Sequence, residues 1–302
     1  MDSECVEEMD DFESYLIAQG FPEGYRKYLM ELHEKYPEWR FEAVITGVDF
    51  QEFVNYQIVN ELKCAESSAH PIFCTDRDYK GEKSNIYHVA NNGAIGFFSN
   101  PYCLLQTEKN AMQFLKAEQE LPREYVDLVV PQILEGKNQE IVDSIKNTES
   151  CINPVFIACI YKIENGPVSE VYQGKKVYNL FNIGGYTGKE DALKYAYEHQ
   201  WFTPEACING SEEVFQKYVD NGQDTLYALD WDFQTYANTG GVRQYATLVN
   251  DAYNKARPLS GIDGVILDLD YDLVFKIPVY ENIPAYSEEE NEQFMRYVKE
   301  NM

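Results

Sequence analysis

Asn153-Pro154-Val155-Phe156-Ile157-Ala158-Cys159-Ile160-Tyr161-Lys162-Ile163-Glu164-Asn165-Gly166-Pro167 opens with a helix cap and closes with a helix stop. Asparagine is a strong N-cap, and proline suits the first helical position because the N–H it lacks would be unpaired anyway. The residues Val155, Phe156, Ile157, Cys159, Ile160 and Ile163 predict the most apolar helix of the chain, and Asn165-Gly166-Pro167 ends it. Glu164 is its last residue. An acid there faces the partial negative charge of the helix C-terminus, and apolar neighbours would desolvate it. Both effects favour the neutral, proton-bearing form, which suits a general acid near neutral pH. The plainer alternative is a solvated glutamate where the helix reaches the surface.

Outward from this helix the chain is mostly helical. On the N-terminal side, helical periodicity marks Glu108 to Gln119, Pro122 to Leu134 and Glu140 to Lys146. On the C-terminal side, helices are predicted near Lys189 to Glu198, Pro204 to Asp220 and Gly241 to Lys255, then a strand from Leu273 to Tyr280 and a last helix from Glu288 to Glu300. Earlier still, Phe12 to Tyr36 has helical spacing broken into two helices by Gly20-Phe21-Pro22. Trp39, Phe41, Ala43 and Ile45 alternate with polar residues, the period of a strand, and Phe50 to Leu62 returns to helical spacing. The acidic first ten residues read as a frayed tail, and residues 64 to 93 as a loop-rich connection. The expected class is α+β, mainly α.

Charge narrows the partners. The 302 residues carry 51 Asp+Glu against 25 Lys+Arg, a formal net charge of -26, which repels nucleic-acid backbones and anionic lipid. No apolar run approaches the ~20 residues needed to cross a bilayer, so no membrane span is expected. The seven cysteines show no C-x-x-C and no disulfide framework, although Cys64 and Cys74 lie close enough for a loop-closing bridge. The four histidines, His33, His70, His88 and His199, have no zinc spacing. Asp268, Asp270 and Asp272 alternate like calcium ligands, but the loop glycine and distal glutamate of such a site are missing, and an amphipathic strand explains them. No metal and no cofactor is expected. No G-x-S-x-G or phosphate-cradling loop occurs.

Three further stretches carry chemistry. Tyr178-Asn179-Leu180-Phe181-Asn182-Ile183-Gly184-Gly185 interleaves aromatics, amides and glycines. Amides both donate to and accept from an N-acetyl group, while aromatic rings offer an apolar face to a sugar. A tight loop whose asparagines satisfy the backbone would look the same. Gly222-Gln223-Asp224-Thr225-Leu226-Tyr227 and Arg243-Gln244-Tyr245-Ala246-Thr247 each end near a tyrosine among polar residues.

Together these stretches are similar to the bacterial endo-β-N-acetylglucosaminidases, the autolysin-type peptidoglycan hydrolases of glycoside hydrolase family 73. Glu164-Asn165-Gly166, YNLFNIGG, GQDTLYALDW and RQYAT come in the order and spacing of that family, and residues 15 to 50 and the stretch FKIPVYENIP extend the likeness over most of the chain. The resemblance implies a lysozyme-like core with a glycan cleft between two lobes. It implies three blocks: an N-terminal accessory region at 1–107, the glucosaminidase domain at 108–260, and a C-terminal strand and helix at 261–302. It places Glu164 as the catalytic acid and Tyr245 in catalysis. It also implies that Asn182, Tyr227 and Gln244 contact substrate, with Phe181 either touching glycan or supporting its loop from the core.

The chain departs from the family at three places. Ile163 stands where glutamine usually precedes the acid, Arg243 replaces histidine before Gln-Tyr, and Asn100-Pro101-Tyr102-Cys103-Leu104-Leu105 replaces Asp-Pro-Arg-Asn-Phe-Leu. The expected activity is hydrolysis of the GlcNAc-β-1,4-MurNAc bond of peptidoglycan by a secreted or wall-associated monomer, whose export signal lies outside this sequence. The alternative is a lapsed enzyme that binds glycan or anchors to the wall. Among nearby acids, spacing ranks none of Asp224, Asp230 and Asp232 as a second catalytic group.

Overall fold

The computed structural model describes residues 3–57, 95–185, 188–245, 250–259 and 271–284. In chain order the main elements are α1 (Ser3–Gln19), α2 (Glu23–Lys35), β1 (Arg40–Asp49), α3 (Arg123–Ile133), α4 (Gln139–Lys146) and α5 (Pro154–Glu164). They continue with β2 (Glu170–Tyr172), β3 (Lys175–Val177), α6 (Lys189–Glu198), α7 (Pro204–Val219), α8 (Leu226–Asp230), α9 (Phe233–Thr239), α10 (Asp251–Ala256) and β4 (Val274–Glu281). The fold is mainly α with a few strands, an α+β protein.

The chain forms two compact units. One is built from residues 1–115, 225–253 and 270–302, the other from residues 116–224 and 254–269. Blocks 1–107, 108–260 and 261–302 are a division by chain position, and the two units interleave them.

In the first unit, β1 and β4 pair in parallel, with Arg40 opposite Val274 and Ile45 opposite Val279. A parallel pair cannot be closed by a tight turn, so the intervening chain is necessarily long. Trp39, Phe41 and Phe275 form its buried face, with Trp39 and Phe275 rings 4.6 Å apart. Pro278 removes one donor from β4, which a two-stranded sheet tolerates because each strand is also an edge. Its carbonyl accepts from the buried Tyr25 hydroxyl at 3.2 Å. At the strand entrance Arg40 grips Asp272 through two bonds of 2.7 and 2.6 Å. Gly20, at a left-handed φ of 93°, lets the chain turn out of α1 before Pro22 opens α2.

The second unit stacks α3 and α4 around α5. Every residue of α5 from Val155 to Tyr161 is buried, as a helix apolar on all sides requires. Each large apolar side chain so buried contributes about 1.5–3 kcal/mol. Asn153 accepts from the Phe156 N–H at 2.8 Å, and its amide donates to the carbonyls of Lys116 and Ala117 at 2.9 and 2.8 Å. One side chain thus caps the helix and ties it to the segment before α3. β2 and β3 form a hairpin turning at Gln173-Gly174, both at positive φ.

Several expectations need correction. The acidic start is helical from Ser3, and acids in a first turn complement the positive end of the helix dipole. Residues 108–119 are helical only through Phe114, because Leu115 leaves to bridge Phe275. Residues 241–245 are not helical, and the C-terminal part of that predicted helix is present as Asp251–Ala256. The hairpin at 170–177 was not expected. The helix at 288–300, the connection at 64–93, residues 58–62, Cys64, Cys74, His70, His88, Asp268 and Asp270 lie outside the described residues. Asp272 is the grip on Arg40.

Candidate active site

Glu164 ends α5, and Asn165 follows in the left-handed conformation at φ 43°. That reversal folds Gly166-Pro167 back against the loop 178–185. The Gly166 N–H donates to Leu180 O at 3.0 Å, and the Asn179 N–H donates to Pro167 O at 2.8 Å. A Cβ on Gly166 would lie 2.0 Å from Asn179 O and 2.8 Å from Asn182 N. No real Cβ approaches a backbone so closely, so glycine is what lets the loop touch the turn.

The loop is held by its own residues. Buried Asn179 donates to Ile183 O and Ala192 O at 2.8 and 2.9 Å, and accepts from the Ile183 N–H at 2.9 Å. Leu180 N–H rests on Cys207 Sγ at 3.4 Å. Burial pushes that thiol up to about 12, so it stays neutral at this contact. Asn182 is exposed at a left-handed φ of 54°, on the loop that covers the turn after Glu164. Phe181 is 1% exposed and meets Phe215 edge-on at 5.3 Å. The ring packs in the interior behind the loop.

Glu164 does not sit among apolar neighbours alone. Lys255 Nζ lies 3.5 Å from Glu164 Oε1, with the lysine side chain 0% exposed and the glutamate 19% exposed. Lysine is almost never wholly buried unless paired. Nearby, Lys137 Nζ donates to Asn165 Oδ1 at 2.5 Å and lies 5.2 Å from the centroid of the Tyr161 ring. Sequence reasoning missed Lys255. Its only local signal is a position on a predicted amphipathic helix, where a lysine reads as solvated.

The remaining candidates belong to the first unit. Tyr227 lies in α8 and is 0% exposed. Its hydroxyl donates to Ser99 O at 2.5 Å and lies 3.0 Å from the Tyr280 hydroxyl, and burial raises its pKa well above the ordinary tyrosine value. Both the ring and its hydroxyl are engaged inside the unit. Gln244 and Tyr245 are half-buried. The Gln244 amide donates to Gln57 Oε1 at 3.2 Å, and the Tyr245 N–H donates to Leu229 O at 2.8 Å.

Asp232 accounts for the departure of this stretch from a helix. Its carboxylate caps α9 through the Thr235 N–H at 2.9 Å and accepts from the Arg243 N–H at 2.6 Å. A carboxylate committed to two backbone donors is a poor choice for moving protons. The structure thus joins Glu164 with the Asn182 loop and Lys255 in one unit, and Tyr227 with Gln244 and Tyr245 in the other.

A groove of about 640 Å³ in the second unit is lined by Glu118, Arg123, Lys146, Glu149, Cys151 and Pro154, among others. It lies at the opposite end of α5 from Glu164, an eleven-residue helix away. No group of acids, histidines or cysteines among the described residues could hold a metal ion, and no described helix is long and apolar enough to cross a membrane.

No family model matches the chain. A Beta-N-acetylglucosaminidase of Bacillus subtilis (strain 168) is 29% identical over 208 residues, covering 63% of this chain and 22% of that protein. A bifunctional autolysin of Staphylococcus epidermidis is 28% identical over 195 residues, covering 58% of this chain and 14% of its own length. The chain therefore spans less than a quarter of the length of these relatives. Among solved structures, S. aureus glucosaminidase B aligns with a TM-score of 0.49 at 19% identity, covering 81% of this chain and 94% of that one. S. aureus Autolysin E in complex with the disaccharide NAG-NAM aligns with a TM-score of 0.48 at 18% identity, covering 70% and 89%.

Proposed function

We propose that this chain, a sequence relative of the autolysin-type glucosaminidases, is a glycoside hydrolase that cuts the GlcNAc-β-1,4-MurNAc bond of peptidoglycan. The observation that carries this is Glu164: a side chain four-fifths buried, at the end of a buried helix, with a glycine turn and the Asn182 loop beside it. A positioned acid of this kind protonates the glycosidic oxygen as its bond to C1 breaks. Water then delivers hydroxide to C1 and its proton restores the carboxyl group. Asn182 supplies an amide toward the substrate's N-acetyl group. In the first unit, Gln244 and Tyr245 are the proposed glycan-contacting and catalytic candidates. Residues 108–260 make up the glucosaminidase domain, and the protein acts as a monomer at the cell wall after export.

The test is clearing of a purified peptidoglycan suspension followed by identification of the new reducing ends. Release of N-acetylglucosamine ends supports the proposal. Ile163 and Arg243, where the family carries glutamine and histidine, favour the second reading of a glycan-binding module. Firm sedimentation with the wall and no new ends would establish that second reading instead.

A further inference from the structure

We propose that Lys255 is a positioning residue that fixes Glu164 Oε1 and stabilises the carboxylate as its proton leaves, which rests on Glu164 being the general acid. Three observations point there. The Lys255 side chain is 0% exposed, its Nζ lies 3.5 Å from Glu164 Oε1, and both residues belong to the same compact unit. Burying an ammonium is costly, and an apolar side chain of the same volume is commonly neutral or better for stability. A lysine kept in such a place serves something other than packing, and the proposed acid lies within its reach.

The geometry suits the chemistry. At 3.5 Å the ammonium acts by charge rather than through a short hydrogen bond. With Oε1 facing the ammonium, Oε2 is the oxygen left for the glycosidic atom. Proton transfer turns the carboxyl into a carboxylate while the C1–O bond breaks, and a fixed cation already in place stabilises that charge without reorganising. Lys255 keeps its own proton throughout.

Other charges nearby do not substitute for it. Lys162 precedes Glu164 on α5, and Lys137 is engaged with Asn165 Oδ1. The loop 178–185 carries no charged residue. On the lysine's own helix Asp251 lies one turn earlier, and Arg257 follows the helix.

The test compares the full chain with Lys255→Met and Lys255→Arg by pH profile of reducing-end release from purified peptidoglycan, with a thermal melt of each. The alkaline limb reports loss of the acid's proton. In Lys255→Met it should move upward, with a fall in kcat and little change in KM. Lys255→Arg keeps the charge and should keep the limb. If Lys255→Met does not fold, the same comparison is made with Lys255→Gln. A neutral variant whose limb coincides with the native one, with only its melt lowered, overturns the proposal. A carboxyl ¹³C titration of Glu164 in native and neutral-variant protein gives the same answer without turnover: a midpoint that fails to rise in the variant refutes it. Glu164→Gln separates the two levels. Full activity in that variant would remove Glu164 as the acid, whereas the titration reads Lys255 in either case.

Discussion

Glu164 and Tyr227 come from the same set of motifs, yet they occupy opposite surroundings. Tyr227 is sealed, its hydroxyl bonded between Ser99 O and the Tyr280 hydroxyl, its ring 5.0 Å from Phe114. Glu164 keeps 19% of its side chain in solvent and faces a buried cation. One set of motifs can thus hold a sealed side chain and a solvent-facing one, and burial tells them apart. A reacting group needs a solvent-facing atom and a fixed partner behind it. A framework group needs only partners.

The largest effect expected from breaking this contrast is at Glu164. Glu164→Gln should lower release of reducing ends by about 10²–10⁴, the usual contribution of one acid–base group. It should also cost about 1–3 kcal/mol in a thermal or urea melt, since it removes a carboxylate that faces a wholly buried ammonium. An isolated glutamate at a solvated helix end would show no such loss. Gly166→Ala comes next. The added methyl collides with the backbone of Asn179 and Asn182, so the loop must move. Activity should fall by an order of magnitude or more while α5 stays folded, read by turnover alongside far-ultraviolet circular dichroism.

Tyr227→Phe sharpens the comparison from the other side. Losing a buried hydroxyl leaves Ser99 O and the Tyr280 hydroxyl short of a partner and should cost about 1–3 kcal/mol. Turnover per folded molecule should be unchanged; a rise in KM without a loss of stability would return Tyr227 to the substrate. The smallest effect is at Glu212, which bonds Thr148 Oγ1. Burial raises its pKa more than hydrogen bonds from Thr148 and Ser150 lower it. A raised folded value means its contribution to stability is fully present below the unfolded value and is lost as pH rises through the folded one. Melting temperatures of the native chain and Glu212→Gln, measured from acid to neutral pH, should therefore diverge in favour of the variant as pH rises.

What the sequence made legible was local. Asn153, the apolar run behind it and Asn165-Gly166 specify α5 to its ends, because capping and burial act over a few residues. The hairpin at 170–177 escaped since strands of three residues are too short for alternation to register. Residues 241–245 carry a helical pattern, but the Asp232 carboxylate and Leu229 O take the N–H groups of Arg243 and Tyr245. Tertiary bonds overrode local preference there. Glu164 was legible from its place at a helix end. Its partner was not, because nothing in Asp251-Ala252-Tyr253-Asn254-Lys255-Ala256 distinguishes a buried lysine from a solvated one.

The parallel pairing of β1 with β4 bears on when the molecule can become native. Thr46 and Val279, joined by a side-chain hydrogen bond, are 233 positions apart. On a ribosome adding about 5–20 residues per second, β1 waits some tens of seconds or less for the strand it must pair with. Throughout that interval Phe41 and Trp39 have no Phe275 to cover them. Residues 116–224, by contrast, supply most of the other unit and emerge in one continuous run. The nascent chain is therefore asymmetric in time: the helical unit can condense early, while the strand nearest the beginning of the chain is among the last elements to be satisfied.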